Sequence, residues 1–156
     1  MSRDEKLRLA AQSLGFDIEA EIRIGGHYLP VLRDGDWLFV SGQVPRIGEM
    51  VVATGAAGAE ASIEQARRGA AISAVRCLAL LRKELGTLEQ LARIVRLTVF
   101  VRSADGFGQQ SEVADAASDL LVAVLGEAGL HARTSVGVAQ LPKGATVEIE
   151  LQAKAA

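Results

Sequence analysis

Residues 133–153 read RTSVGVAQLPKGATVEIELQA, and the fold class can be built outward from them. Ala145, Val147, Ile149 and Leu151 alternate with Thr146, Glu148, Glu150 and Gln152, which is the period of a strand with one buried face. Arg133–Ala139 reads as a second strand, and Leu141-Pro142-Lys143-Gly144 between the two carries turn residues. The expectation is a hairpin. In the register that sets residue 140 against 145, Val136 meets Ile149 and Val138 meets Val147, so apolar positions match. Arg133, Ser135 and Gly137 then share the other face with Glu148, Glu150 and Gln152.

Upstream, Arg93–Arg102 is a further strand with Val95, Leu97, Val99 and Val101 on one face. Two long helices are expected. Ser62 with Gln65 forms a capping box for the first, which runs to Leu85 and stops at Gly86. Its main apolar stripe is Ala66, Ala70, Ala74, Cys77, Leu81 and Leu85. Ala71, Val75 and Leu78 form a second stripe, and a helix apolar on two sides hints at contact between copies. Asp105–Leu125 reads as a loop and then a helix, with Val113, Ala117, Leu120 and Val124 on one stripe and Gly126 as its stop.

At the other end, Ser2 and Glu5 cap a short helix that ends before Gly15, giving a helical extension over residues 1–15. Phe16–Ile24 alternates and reads as a half-buried strand. Gly25-Gly26-His27 leads into a loop carrying Tyr28, then comes a strand over Trp37–Val40 that ends at Ser41-Gly42-Gln43-Val44-Pro45. Met50–Ala53 is a short partner strand. Helices against a mostly antiparallel or mixed sheet make one α+β domain over residues 1–156, a two-layer sandwich.

Composition narrows the function classes. The chain is 49% hydrophobic and 23% charged, a globular balance rather than a disordered one. A net charge of −2 argues against a nucleic-acid binder, which needs a basic surplus to neutralise phosphates. One cysteine, Cys77, and two histidines, His27 and His131, leave no intrachain disulfide and too few soft ligands for a zinc cluster. Cys77 on its apolar stripe reads as inert core. The charged N-terminus lacks a secretory apolar stretch, and no apolar run approaches the ~20 residues of a membrane span. The expectation is a cytoplasmic protein with no membrane partner.

Four positions offer chemistry. Arg133 on a sheet face could clamp a substrate carboxylate bidentately, or simply pair with Glu150 or Gln152. Glu148, opposite Gly137 in this register, has room beside it for a water and general-base work, or is an exposed strand carboxylate. Arg133 then lies opposite Gln152, roughly 13 Å along the strand from Glu148, so twist, a bulge or a neighbouring subunit has to close the gap. Tyr28 sits in a loop, where functional side chains concentrate, or packs over a core edge. Ser41 binds a ligand or caps its turn, and no Ser-His-Asp pattern makes it a nucleophile.

The stretch from Arg133 to Glu150, Tyr28 in its loop, Leu38-Phe39-Val40-Ser41-Gly42-Gln43-Val44-Pro45 and Leu97-Thr98-Val99-Phe100-Val101 together resemble the Rid family. These are the YjgF-like reactive intermediate deaminases, also filed as "endoribonuclease L-PSP". The resemblance covers roughly residues 25–153 and is carried by Ser-Gly-Gln-x-Pro with the later Arg133 and Pro142-Lys143. The N-terminal helix, Gly126-Glu127-Ala128-Gly129 and His131-Ala132-Arg133 resemble a longer branch of the family.

The resemblance implies a chorismate-mutase-like fold, a homotrimer with clefts between subunits, and hydrolysis of 2-imino or 2-enamino acids to 2-keto acids and ammonia. By position, Arg133 would hold the substrate carboxylate and Glu148 would position the attacking water. Tyr28, Ser41 and Gly42 would line the pocket, with no cofactor required. The deaminases usually carry an asparagine where this chain has Ser111, and this chain contains no asparagine at all. A trimeric module that binds a small carboxylate without turnover is the alternative. A ribonuclease is the third reading, opposed by the acidic balance and the single tyrosine.

Overall fold

Two serines start two helices as their spacing requires. In a computed structural model describing residues 1–156, Ser2 caps α1 (Arg3–Ser13) and Ser62 caps α2 (Ile63–Leu85). In each, the serine hydroxyl accepts from the N3 amide while the N3 side chain returns to the cap amide. Gly86 ends α2 with φ 84°, a conformation that glycine adopts without strain. The third helix, α3 (Gln110–Leu125), stops at Gly126, φ 64°.

The main sheet holds β1 (Val31–Asp34), β2 (Trp37–Gln43), β5 (Leu91–Arg102), β6 (Ala132–Val138) and β7 (Val147–Ala155), in the order β1-β2-β7-β5-β6. A separate two-stranded ribbon, β3 (Arg46–Ile47) with β4 (Met50–Val51), follows β2. All pairs are antiparallel except β5 with β6, which are parallel and joined through α3. The helices cover one face of the sheet. Val40, Leu151 and Leu97 pair in one row on that face, and Val99, Val101, Val147 and Ile149 extend it into the core.

The expected C-terminal hairpin does not form. β6 and β7 flank β5 and never touch: Arg133 pairs with Leu97, and Glu148 with Phe100. The connection crosses the end of β5, where the Ser103 amide donates to Val138 and the Arg102 amide to Thr146. Alternation fixes which residues of a strand share a face, but a third alternating strand satisfies the same pattern from between the two. The facing is corrected as well. Arg133, Ser135 and Gly137 lie on the helix side, and Val136 and Val138 on the uncovered side with Glu148 and Glu150.

Other expectations move less. Phe16 and Ile18 are buried as alternation demands, yet residues 16–24 form no strand, with a turn at residues 18–20 and irregular chain after it. The Glu19 amide donates to the Asp17 carboxylate and the Ala20 amide to the Asp17 carbonyl, which bends the chain where a strand would run straight. The strand expected at Met50–Ala53 is shorter and pairs with Arg46–Ile47. In α3, Leu121 rather than Leu120 completes the buried stripe. The two apolar sides of α2 are accounted for within the chain. Ala66, Ala70, Ala74, Val75, Cys77, Leu78 and Leu81 are all buried against the sheet, α3 and α1. Cys77 is core, its thiol pushed up to about 12 by burial.

Candidate active site

The first group of site residues is built by a bulge. β2 and β7 run in register to Val40 opposite Leu151, then resume at Gln43 opposite Ile149, so β2 carries one extra residue at Ser41-Gly42. Gln43 turns inward and its amide donates to the Ser41 carbonyl at 3.0 Å. Arg76 of α2 fixes it there, donating from Nη2 to Gln43 Oε1 (3.1 Å) and from Nη1 to the Arg46 carbonyl (3.0 Å). Arg76 is 6% exposed, and burial with Arg46 close by holds its guanidinium down to about 10. The sequence reading missed Arg76. Its signal was available, since it is the single charged residue between Arg68 and Arg82 on an otherwise apolar helix.

The bulge brings Gly42 against Glu148. A Cβ on Gly42 would collide with Glu148 Oε1 and stand 3.0 Å from its Cδ, so the missing side chain makes the space for the carboxylate. Glu148 is half-buried on the uncovered face, and its pKa is raised, first by burial and then by Glu150. The room expected at Gly137 is elsewhere. A Cβ there would meet Gln110 Nε2 at 2.9 Å and Ser103 Oγ at 3.1 Å on the other side of the sheet.

Ser41 Oγ donates to the Leu29 carbonyl at 2.7 Å, and the Ser41 amide donates to the Pro30 carbonyl at 3.0 Å. Ser41 therefore tethers the loop that carries Tyr28, which is half exposed. Ser41, Gly42 and Glu148 thus form one group at β2 and β7, with the Tyr28 loop tethered beside it.

Arg133 belongs to a second group, at the β6 edge under α3. It pairs with neither Glu150 nor Gln152. Nη1 donates to Asp115 Oδ1 (2.9 Å) and to Ser118 Oγ (3.1 Å), and Nη2 lies 3.5 Å from the Ser111 carbonyl. Ser111 Oγ lies 3.5 Å from Ser135 Oγ beside it. Sequence reading missed Asp115 and Ser118, although their spacing of three on one helix face places both over the same strand.

One chain does not unite the groups. Arg133 is on the covered face and Glu148 on the uncovered face, with β5 between their strands. The uncovered face carries Trp37 and Phe39, stacked with centroids 6.2 Å apart, together with Phe100 and Val136. Phe39 and Val136 are 38% and 39% exposed, an apolar surface that no element of the chain covers. No helix is long and apolar enough to cross a membrane.

Known proteins share this fold. The family model described as endoribonuclease L-PSP matches residues 18–155. Protein TCP17 of Trypanosoma cruzi is 40% identical over 146 residues, 92% of this chain and 91% of that protein. The crystal structure of Atu1372 from Agrobacterium tumefaciens, a protein of unknown function, matches with a TM-score of 0.89 at 35% identity, over 99% of this chain and 96% of that one. The YjgF gene product of E. coli matches with a TM-score of 0.61 at 25% identity, over 89% and 95% of the two chains. The chain belongs to the endoribonuclease L-PSP family, the YjgF-like or Rid proteins.

Proposed function

We propose that the protein hydrolyses 2-imino or 2-enamino acids to 2-keto acids and ammonia, in clefts between the subunits of a homotrimer. The observation that carries this reading is Glu148, a half-buried carboxylate with a raised pKa, seated in the space left by Gly42. A carboxylate that burial makes more basic suits taking a proton from a water. The uncovered apolar face and the separation of Arg133 from Glu148 support an assembly in which one subunit supplies each.

In this mechanism the Nε–H and the second Nη2–H of Arg133, beside the Nη2 bond to the Ser111 carbonyl, hold the substrate carboxylate, and Tyr28 and Ser111 border the pocket. The tether from Ser41 places the Tyr28 loop. Glu148 takes a proton from a water as its oxygen bonds to the imine carbon, giving a carbinolamine. Proton return to nitrogen and collapse of that adduct release ammonia and leave the keto group. The imine carbon is already electrophilic, so holding acid, carboxylate and water in one geometry supplies most of the acceleration.

The test is a coupled assay in which an amino-acid oxidase generates 2-imino acids in situ and semicarbazide traps what is not hydrolysed. Faster keto-acid release with wild type, lost in Arg133→Ala and Glu148→Ala, is the expected result. Carboxylate binding without acceleration across small and bulky imines would replace the enzyme with a binding module. The family description also names a ribonuclease, which the net charge of −2 opposes.

A further inference from the structure

Arg133 is held at the end of a hydrogen-bonded chain that the proposed reaction does not use. His131 Nδ1 lies 2.6 Å from the Gly129 carbonyl, and His131 Nε2 lies 2.9 Å from Ser118 Oγ. A carbonyl only accepts, so Nδ1 carries the proton and Nε2 of the neutral ring is left as an acceptor. Ser118 then donates to Nε2, and its lone pairs receive Arg133 Nη1 at 3.1 Å. With the ring neutral, donor and acceptor are set at every link, from guanidinium to hydroxyl to imidazole to carbonyl. The far end is rigid as well, because a Cβ on Gly129 would stand 2.7 Å from the backbone carbon of Leu121 in α3. The remaining acceptor on Nη1 is the Asp115 carboxylate, 2.9 Å away and about half exposed.

We propose that Ser118 and His131 are positioning residues of an anion site at Arg133, and that Asp115 limits the charge of that site so that it takes a single carboxylate. This rests on the reading of Arg133 as a carboxylate clamp. An unrestrained arginine loses rotamer freedom when it binds, and a side chain already held by three acceptors, Asp115, Ser118 and the Ser111 carbonyl, has lost it in advance. With Nη1 donating twice and Nη2 donating once, to the Ser111 carbonyl, the Nε–H and the second Nη2–H are the donors left to face a ligand. Asp115 offsets part of the positive charge, and a ligand with a second carboxylate meets its repulsion.

The test is calorimetric titration of the intact protein with pyruvate and with 2-oxoglutarate, as the monocarboxylate and dicarboxylate probes. Wild type binds pyruvate and Arg133→Ala does not. Ser118→Ala and His131→Leu weaken pyruvate about tenfold by returning the arginine's freedom. Ser118→Thr, which keeps the hydroxyl, and His131→Gln, which keeps an acceptor near Nε2, restore it to within about threefold. Asp115→Asn retains an acceptor without the charge, so it tightens 2-oxoglutarate by about tenfold, and by more than it tightens pyruvate. In the deaminase assay, Ser118→Ala raises KM and leaves kcat unchanged, a split that a general loss of folding would not give. Wild-type affinity in Ser118→Ala and His131→Leu, or failure of both conservative variants to rescue, overturns the positioning role while the clamp stands. An unchanged ratio of the two probes in Asp115→Asn overturns the role of Asp115. Equal binding by wild type and Arg133→Ala overturns the clamp itself, and this inference with it.

Discussion

Arg133 and Glu148 stand on opposite faces of one sheet: Arg133 pairs with the buried Leu97, and Glu148 with Phe100 on the uncovered side. About two strand spacings, ~10 Å, separate them across the sheet, and about three residues, ~10 Å, along it. No rotation of the two side chains brings them to one small molecule within a chain. In a trimer whose clefts draw one residue from each neighbour, mixing Arg133→Ala with Glu148→Ala restores clefts that hold both. Co-refolding the two inactive variants at equal concentration should recover roughly a quarter of wild-type activity, since about one cleft in four receives both intact residues. Absence of any recovery would put the site inside one chain and remove the argument for shared clefts.

Gly42 is the position where one methyl group should do the most. Gly42→Ala forces the Glu148 carboxylate out of its seat, and overpacking of this kind costs about 1–3 kcal/mol. Deaminase activity should fall at least tenfold while urea denaturation records no more than that loss. Full activity would mean that Glu148 works from another position.

Glu148 gives the pH dependence its sign. Its carboxyl is raised above the usual value of 4.5 by burial and then by Glu150, so the folded state disfavours the ionised form. Stability from the neutral form is present in acid and is lost as pH rises through the folded pKa. Glu148→Gln should therefore melt with wild type at pH 4 and above it at pH 8, by differential scanning fluorimetry. The acid limb of kcat/KM should lie above pH 4.5, and Glu150→Gln should move it toward acid. A limb that stays put would show that Glu150 does not act on the base.

Arg76 joins α2 to the bulge through two hydrogen bonds, and its removal leaves Gln43 Oε1 and the Arg46 carbonyl without a donor. Arg76→Ala should cost about 2–4 kcal/mol in urea denaturation. It should also lower activity, because the bulge that aims Ser41 and Gly42 loses its brace. A stable and fully active variant would make the brace dispensable.

Much of this was written in local pattern. The capping boxes at Ser2 and Ser62, the stops at Gly86 and Gly126, and the alternation of Leu97, Val99 and Val101 all depend on neighbours a few residues away, and all are found; Val95, expected with them, gives its core place to Ile94 because the β5–β7 register shifts between Ile94 and Arg96. The motif Ser41-Gly42-Gln43-Val44-Pro45 marks the bulge, although nothing in it says that Gln43 would turn toward Arg76. What could not be read is adjacency between distant segments. Val136 and Val138 matched Ile149 and Val147 on paper, and β5 entered between them with the same period. That error carried Arg133 to the wrong face. Asp115 and Ser118 were overlooked for a related reason, since a polar residue on a half-exposed helix face looks solvated until the strand beneath it is known.

The place of β7 in the sheet also governs how the molecule comes together. It is the last strand in the sequence and the middle one in space, with β1-β2 on one side and β5-β6 on the other. Until residues 147–155 arrive, those are two separate ribbons, each showing an open edge and an unburied apolar face. During synthesis on the ribosome, the nascent chain must keep both from pairing with other chains until residues 147–155 slide in and join them. Assembly is therefore governed by contacts distant in sequence, which are slow to form and leave the unfinished molecule open to aggregation.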